Sequence, residues 1–280
     1  MLLGLGGWRL AQYWRTLPVQ RKWLMFAALA LAEIAVWLCL YGFVIEPRSL
    51  MVRRVEIVSA TWHGAPLHIA AIGDTHVGGL HVNAARMGRI VQRINALRPD
   101  LVVLLGDYAA GHAPEAERAP AEQQEILGGV ATFAALNARY GVVAALGNHD
   151  DWYGRQSISS ALENAGVAVL WNRHVLIRTS TTPIVIAGLA DEWTGEPNLT
   201  EALDGAPMGA DTIVIAHNPD SFAAAPRGAA LFLASHTHCG QVTVPLLGRP
   251  ILPVRFLNPP EITLITIRSG APNYMPPPPT

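Results

Sequence analysis

The sequence is short of charge, nearly free of cysteine and without an excess of either sign. Charged residues fill only 15% of its 280 positions against 51% hydrophobic ones, which excludes intrinsic disorder over most of the chain. The formal net charge is −1, so no basic field advertises a nucleic-acid partner and none is expected. Two cysteines, Cys39 and Cys239, cannot form a disulfide framework. There is no internal repeat, and the H-E-x-x-H pattern of zinc peptidases is missing. The residue in surplus is histidine, present ten times, and that directs attention to metal chemistry.

From Trp23 to Ile45 the chain reads WLMFAALALAEIAVWLCLYGFVI, with Glu33 as its one charge. A helix rising about 1.5 Å per residue over this run covers a hydrocarbon core about 30 Å thick. A cleaved signal peptide has an apolar region of about 7–15 residues, shorter than this one. A soluble core helix competes less well, because the apolar character runs all round. Glu33 opposes insertion by about 2.5–3.5 kcal/mol near a helix centre, and the surrounding Leu, Ile, Val, Phe and Trp outweigh it. The run reads as a single membrane span, with Trp8, Trp14, Trp23 and Trp37 as interfacial anchors. Arg9, Arg15, Arg21 and Lys22 precede it, while Arg48, Arg53 and Arg54 follow. That bias places the N-terminus in the cytoplasm and the body of the protein outside it. The expected organisation is therefore residues 1–49 as cytoplasmic N-terminus and anchor, 50–268 as one catalytic-sized domain, and 269–280 as a Pro-rich tail.

The body repeats one pattern. Short apolar runs at Leu67–Ile72, Leu101–Leu105, Gly141–Leu146, Thr212–Ala216 and Ala230–Ala234 read as strands buried on both faces. Each runs into a polar cluster: GDTH at 73–76, GD at 106–107, GNHD at 147–150, His217, and SHTH at 235–238. Helical spacing marks Asn83–Arg98, with Asn83 as N-cap and Pro99 as terminator, and a shorter helix at Ser157–Ala165 with Gly166 suited to a left-handed cap. Alternating strands and helices make an α/β body, in which ligands gather at the carboxyl ends of the strands.

Asp74, His76, Asp107, Asn148, His217, His236 and His238 supply seven oxygen and nitrogen donors without a thiolate, a set suited to manganese, iron or zinc. Seven donors exceed one tetrahedral ion and suit two divalent ions sharing a carboxylate. Asp107 is the natural bridge, having two oxygens to share. Two such ions about 3.5–4 Å apart clamp an in-line displacement at phosphorus. His149 is then free to assist the leaving group, with Asp150 placed to hold its other ring nitrogen. His81, His112, Asp151, Trp152, Asp191 and Glu192 flank these motifs and are candidates for the mouth of the site, whereas His63, His68 and His174 read as structural.

The succession GDTH, GD, GNHD, a lone His and S-H-T-H resembles the signature of the calcineurin-like metallophosphoesterases. The stretches RIVQRINALRPDLVVLLGDY, LGNHDDWY, IAHNPDSF and SHTHCGQVTVPLLGRP are similar to those of the bacterial membrane-anchored phosphodiesterases of that superfamily. The resemblance covers about Leu50 to Ile267 and implies a four-layer αββα sandwich. It implies one metal on Asp74, His76, Asp107 and His238, and a second on Asp107, Asn148, His217 and His236, with His149 as the catalytic histidine. It further implies a hydrolase of a phosphodiester, phosphomonoester or pyrophosphate bond, held by one span in a bacterial inner membrane. Tethering and resemblance together imply a lipid-linked substrate. The sequence departs from the family's pattern at Ser235 and Cys239, where glycine is usual, and after Leu252, where a strand-bearing segment is missing before Pro253–Phe256. That gap keeps a second expectation open, a membrane-bound metal-site scaffold without turnover.

Overall fold

The computed structural model describes residues 14–225, 228–238 and 262–270. The chain divides into two units, Met1–Ser49 and Leu50–Thr280. In the first, helix α1 (Val19–Leu40) follows Pro18 and continues through a π-turn, Tyr41–Ile45, and a 3-10 turn, Glu46–Arg48. None of the residues of α1 is buried, although Phe26 meets the Trp14 ring edge to face with centroids 5.4 Å apart. The helical run Val19–Arg48 has 30 residues and a mean hydropathy of 2.2, and is long and apolar enough to cross a membrane.

Among the described residues, the second unit contains two sheets. The strands are β1 (Val52–Ser59), β2 (Leu67–Ile72), β3 (Leu101–Leu105), β4 (Val142–Ala145), β5 (Ala168–Val169), β6 (Arg173–Ile177), β7 (Ile184–Gly188), β8 (Asp211–Ile215), β9 (Leu231–Leu233) and β10 (Ile262–Ser269). One sheet has the order β1-β10-β2-β3-β4-β5, parallel from β2 to β5, with β10 antiparallel to β2. The other is β6-β7-β8-β9, parallel from β7 to β9. Helices α2 (Ala84–Ala96), α3 (Pro120–Ala131) and α4 (Asn148–Asn164) accompany the first sheet, and the short α5 (Leu199–Ala202) the second.

Strand periodicity builds the layers. Along β3, Leu101, Val103 and Leu105 face the core between the two sheets, while Val102 and Leu104 face the core shared with α2, α3 and α4. In β8, Ile213 and Ile215 enter the inter-sheet core and Val214 packs with Leu189 and Ala202 in a third, smaller core. Helix, sheet, sheet and helix thus stack as the expected αββα sandwich. A run such as LVVLL shows no alternation in sequence because it is buried on both sides.

The capping of α2 is as expected, the Asn83 side chain accepting the Arg86 amide N–H at 2.9 Å. Two helices differ from expectation. The helix read at Ser157–Ala165 begins nine residues earlier, at Asn148, because the GNHD cluster is itself the first helical turn. Gly154, at φ +148°, kinks it and hides its continuity. Helix α3 lies where the sequence reading places no helix; Pro120 occupies its start, where a missing N–H costs nothing, and Ile126 and Val130 are on its buried face. Cys239, the gap after Leu252 and the Pro-rich tail lie outside the described residues, apart from Ser269 and Gly270 at the end of β10.

Candidate metal centre

Every expected ligand stands just beyond the carboxyl end of a strand: Asp74 and His76 after β2, Asp107 after β3, Asn148 after β4, His217 after β8, His236 and His238 after β9. The two sheets deliver them to one place. Asp74, His76 and His238 form one group whose ligand atoms lie within 4.8 Å of one another; His76, Asp107 and His149 form a second; Asp107, His217 and His236 a third. Asp107, Asn148 and His217 are buried, and the other histidines are half-buried, so the centre opens on their side.

Close approach at the strand ends depends on glycine. A Cβ on Gly147 would stand 2.2 Å from Asp107 Oδ1, and one on Gly106, at φ +88°, would stand 2.8 Å from His217 Nδ1. The expected ligands themselves are strained. Asp74, His76, Asp107, His236 and His238 all have φ between +43° and +64°, a region non-glycine residues seldom occupy. Such strain persists where the surroundings over-determine it and gathers at functional sites.

Backbone carbonyls of β3 and the loop after it aim three of the rings. The Nδ1–H of His217 donates to Leu105 O at 2.7 Å, that of His76 to Ala109 O at 3.4 Å, and that of His149 to Gly111 O at 2.8 Å. A carbonyl can only accept, so each bond assigns the proton to Nδ1 and leaves Nε2 facing inward. His217 Nε2 lies 3.1 Å from Asp107 Oδ2, and His76 Nε2 lies 3.7 Å from the same oxygen. Asp107 Oδ1 is occupied by the His149 amide N–H at 2.9 Å. Oδ2 is therefore the Asp107 oxygen that faces both the His76 and the His217 ring.

Asp150 does not hold His149. Its carboxylate accepts the amide N–H groups of Asp107 and Tyr108, each at 2.8 Å, of Gly147 at 3.0 Å and of Ala109 at 3.1 Å. Standing in the first turn of α4, it folds back on the chain and organises the loop that carries Asp107. The expectation of an Asp150–His149 pair is thereby corrected, and the orienting acceptor is Gly111.

The residues present fit a divalent cation. Asp74 Oδ1 and Asn148 Oδ1 are buried without a hydrogen-bond partner among the described residues, a costly condition that a coordinated ion relieves. His236 Nδ1 and His217 Nε2 stand 3.1 Å apart, a separation two nitrogens reach when each binds one ion at about 2.0–2.1 Å. Burial, reinforced by the neighbouring Asp107 charge, pushes the Asp74 carboxyl up to about 7 against the pull of His217. Burial likewise lowers His76 to about 4 and His238 to about 3. Against their own burial, Asp107 is held down and His217 held up by their mutual charge and hydrogen bond. Without an ion, one proton on His217 does part of the neutralising that a cation would do.

Several neighbours were not legible as participants. Ser235 donates to Leu105 O at 2.8 Å, with its oxygen 3.1 Å from His217 Nδ1, so the hydroxyl braces the aimed ring. Tyr108 donates to Ala145 O at 2.8 Å and accepts the Gly106 N–H at 3.1 Å, tying the ends of β3 and β4. Trp152 and His112, both expected near the mouth, contact the His149 ring with centroids 4.9 Å apart. Trp193, 57% exposed, stands perpendicular to the His236 ring with centroids 4.5 Å apart. Asp191 holds the Trp193 turn by accepting its N–H at 2.9 Å, and Glu192 accepts the Ser221 hydroxyl. His63, His68 and His174 bond Asp211, Thr266 and Ala202 away from the centre.

Known proteins are similar to this chain in sequence. The phosphodiesterase YaeI of Escherichia coli is 30% identical over 228 residues, 75% of this chain and 74% of that protein. The uncharacterised metallophosphoesterase YkuE of Bacillus subtilis is 26% identical, covering 82% of this chain and 90% of that one. A bovine transmembrane protein with a metallophosphoesterase domain is 28% identical over 84% of this chain, which spans 54% of its length. The calcineurin-like phosphoesterase family matches residues 67–240, from the first residue of β2 through the histidine loop after β9, and the chain belongs to that family.

Proposed function

We propose that the protein is a membrane-tethered, two-metal phosphoesterase. Asp74, His76, Asp107 and His238 would hold one divalent ion, and Asp107, Asn148, His217 and His236 the other, manganese, iron and zinc all suiting these donors. The observation that carries this is that Asp107 Oδ2 faces both His76 Nε2 and His217 Nε2, one oxygen common to two ligand groups. Bound there, such ions supply an activated water and neutralise charge developing on a phosphoryl group. The chain's own residues do the rest. His149, with Nδ1–H held by Gly111, directs Nε2 inward; in its doubly protonated form the ring passes the Nε2 proton to the departing oxygen and is left as the neutral Nδ1–H tautomer. Trp152 and Trp193 flank the ligand cluster and would steer the organic part of a phosphodiester, phosphomonoester or pyrophosphate.

Helix α1 supports tethering to a bacterial inner membrane, with the catalytic unit outside the cytoplasm by the Arg/Lys bias, and tethering favours a lipid-linked phosphoester. Phosphate release assayed across lipid headgroup fractions tests that extension, and activity on soluble nucleotides alone would refute it. The central test is hydrolysis of bis-p-nitrophenyl phosphate by the Mn²⁺-loaded full chain beside Asp107→Asn. Turnover that disappears in the variant is the expected result. Two equivalents of metal bound with no turnover would instead identify a scaffold.

A further inference from the structure

Arg118 is a charged residue only 8% exposed, and no step assigned above uses it. It ends the 3-10 turn Glu115–Glu117, and its guanidinium reaches back to the loop after Asp107. Nε donates to Ala113 O at 2.8 Å and Nη2 to Ala110 O at 2.7 Å, one bond on each side of Gly111. Nη1 pairs with Glu122 on α3, which compensates the buried charge. The guanidinium also lies 5.2 Å from the ring centroid of Tyr153. Tyr153 is one helical turn after His149 on α4. One planar group therefore grips both the loop that carries the Gly111 carbonyl and the helix that carries the His149 ring. Gly111 itself, at φ +75°, has a backbone conformation that Arg118 encloses; a Cβ there would stand 3.2 Å from Nη2.

We propose that Arg118 is the positioning residue of His149: by clamping Ala110 and Ala113 it holds the Gly111 carbonyl against Nδ1–H and so keeps Nε2 directed at the leaving group. This rests on the role given to His149 above. A guanidinium suits the task because its donors diverge in one plane and reach two carbonyls and a carboxylate at once; an ammonium on a flexible stem cannot span them. Removing it leaves two loop carbonyls without these donors and lets the ring turn, while the metal ligands keep their own carbonyls and carboxylates.

The test uses the full chain, Mn²⁺-loaded, with aryl phosphodiesters whose leaving group is varied from p-nitrophenol to phenol. Arg118→Met is expected to slow phenyl ester turnover about 100-fold through kcat, with KM unchanged and only a several-fold loss on the p-nitrophenyl ester, because a good leaving group needs little protonation. His149→Ala should steepen the same dependence, and the double variant should be no slower than His149→Ala alone. Nitrogen NMR of labelled histidine in the Zn²⁺-loaded protein, which is diamagnetic, should find the neutral His149 ring protonated at Nδ1 in the parent and in mixed tautomers in Arg118→Met, with metal content equal. If His149→Ala steepens the dependence and Arg118→Met lowers all esters alike, the Arg118 proposal is overturned while His149 keeps its role. If His149→Ala leaves the dependence flat, the role of His149 falls, and an unchanged His149 tautomer in Arg118→Met overturns the clamp as well. Should Arg118→Met not fold, Arg118→Lys keeps the charge opposite Glu122 and is expected to move the same readouts about 10-fold.

Discussion

Gly147→Ala isolates the geometry of the metal centre from the conformational freedom of glycine. Gly147 has φ −106° and ψ 177°, an extended conformation any residue adopts, so backbone strain plays no part. The obstacle is Asp107, whose Oδ1 would lie 2.2 Å, and amide nitrogen 2.8 Å, from the new Cβ. Restoring ordinary contact at 3.4 Å requires a displacement of about 1.2 Å, and both atoms belong to Asp107, the residue on which two ligand groups converge. A misplacement of about 1 Å costs on the order of 100-fold in rate, equivalent to about 2.7 kcal/mol. Metal affinity should fall about 10–100-fold, as when a group supporting a ligand is lost. Gly166→Ala is the control: its φ is +78° and nothing lies within 4 Å, so it pays only backbone strain, far from the centre in sequence and function. Metal content measured by mass spectrometry after dialysis against a graded chelator, beside thermal unfolding, separates the two. Gly147→Ala retaining parental metal affinity would refute the role assigned to the close approach of the β3 and β4 ends.

Asp150→Asn should destabilise rather than merely inactivate. Its four accepted N–H groups meet a carboxylate, and an amide with one acceptor oxygen loses about 3 kcal/mol or more, lowering Tm by roughly 6–12 °C. Equal Tm in the variant and the parent would restore Asp150 to a purely catalytic part. Metal loading at neutral pH should release protons, because Asp107 keeps His217 protonated in the metal-free protein and a ligand nitrogen must be free of its proton. Apparent affinity therefore rises with pH; calorimetry in two buffers of different ionisation enthalpy reads the release, and identical heats would contradict it. The full chain should resist alkaline carbonate extraction from membranes, and removal of residues 14–49 should abolish that resistance. A reporter active only in the cytoplasm, fused after Thr280, should be silent; activity would reverse the assigned orientation.

Sequence alone determined which residues stand at the strand ends. Apolar runs such as LVVLL and TIVIA name buried strands, and a polar residue directly after each must sit at the carboxyl edge, because chain continuity leaves it nowhere else. Composition likewise marked α1, since length and apolarity are properties of the run itself. Tertiary structure alone decided which oxygen of Asp107 faces the histidines, and that Gly111 rather than Asp150 orients His149. Those outcomes depend on contacts between residues 38 to 110 positions apart, and backbone carbonyls and amides carry no sequence mark. The kink at Gly154 hid the true start of α4 for a related reason: its first turn is held by Asp150 contacts to Gly147, where side-chain periodicity is silent. Arg118 reads as one charge in a polar loop, and only the packing of that loop against α3 and α4 turns it into a buried clamp.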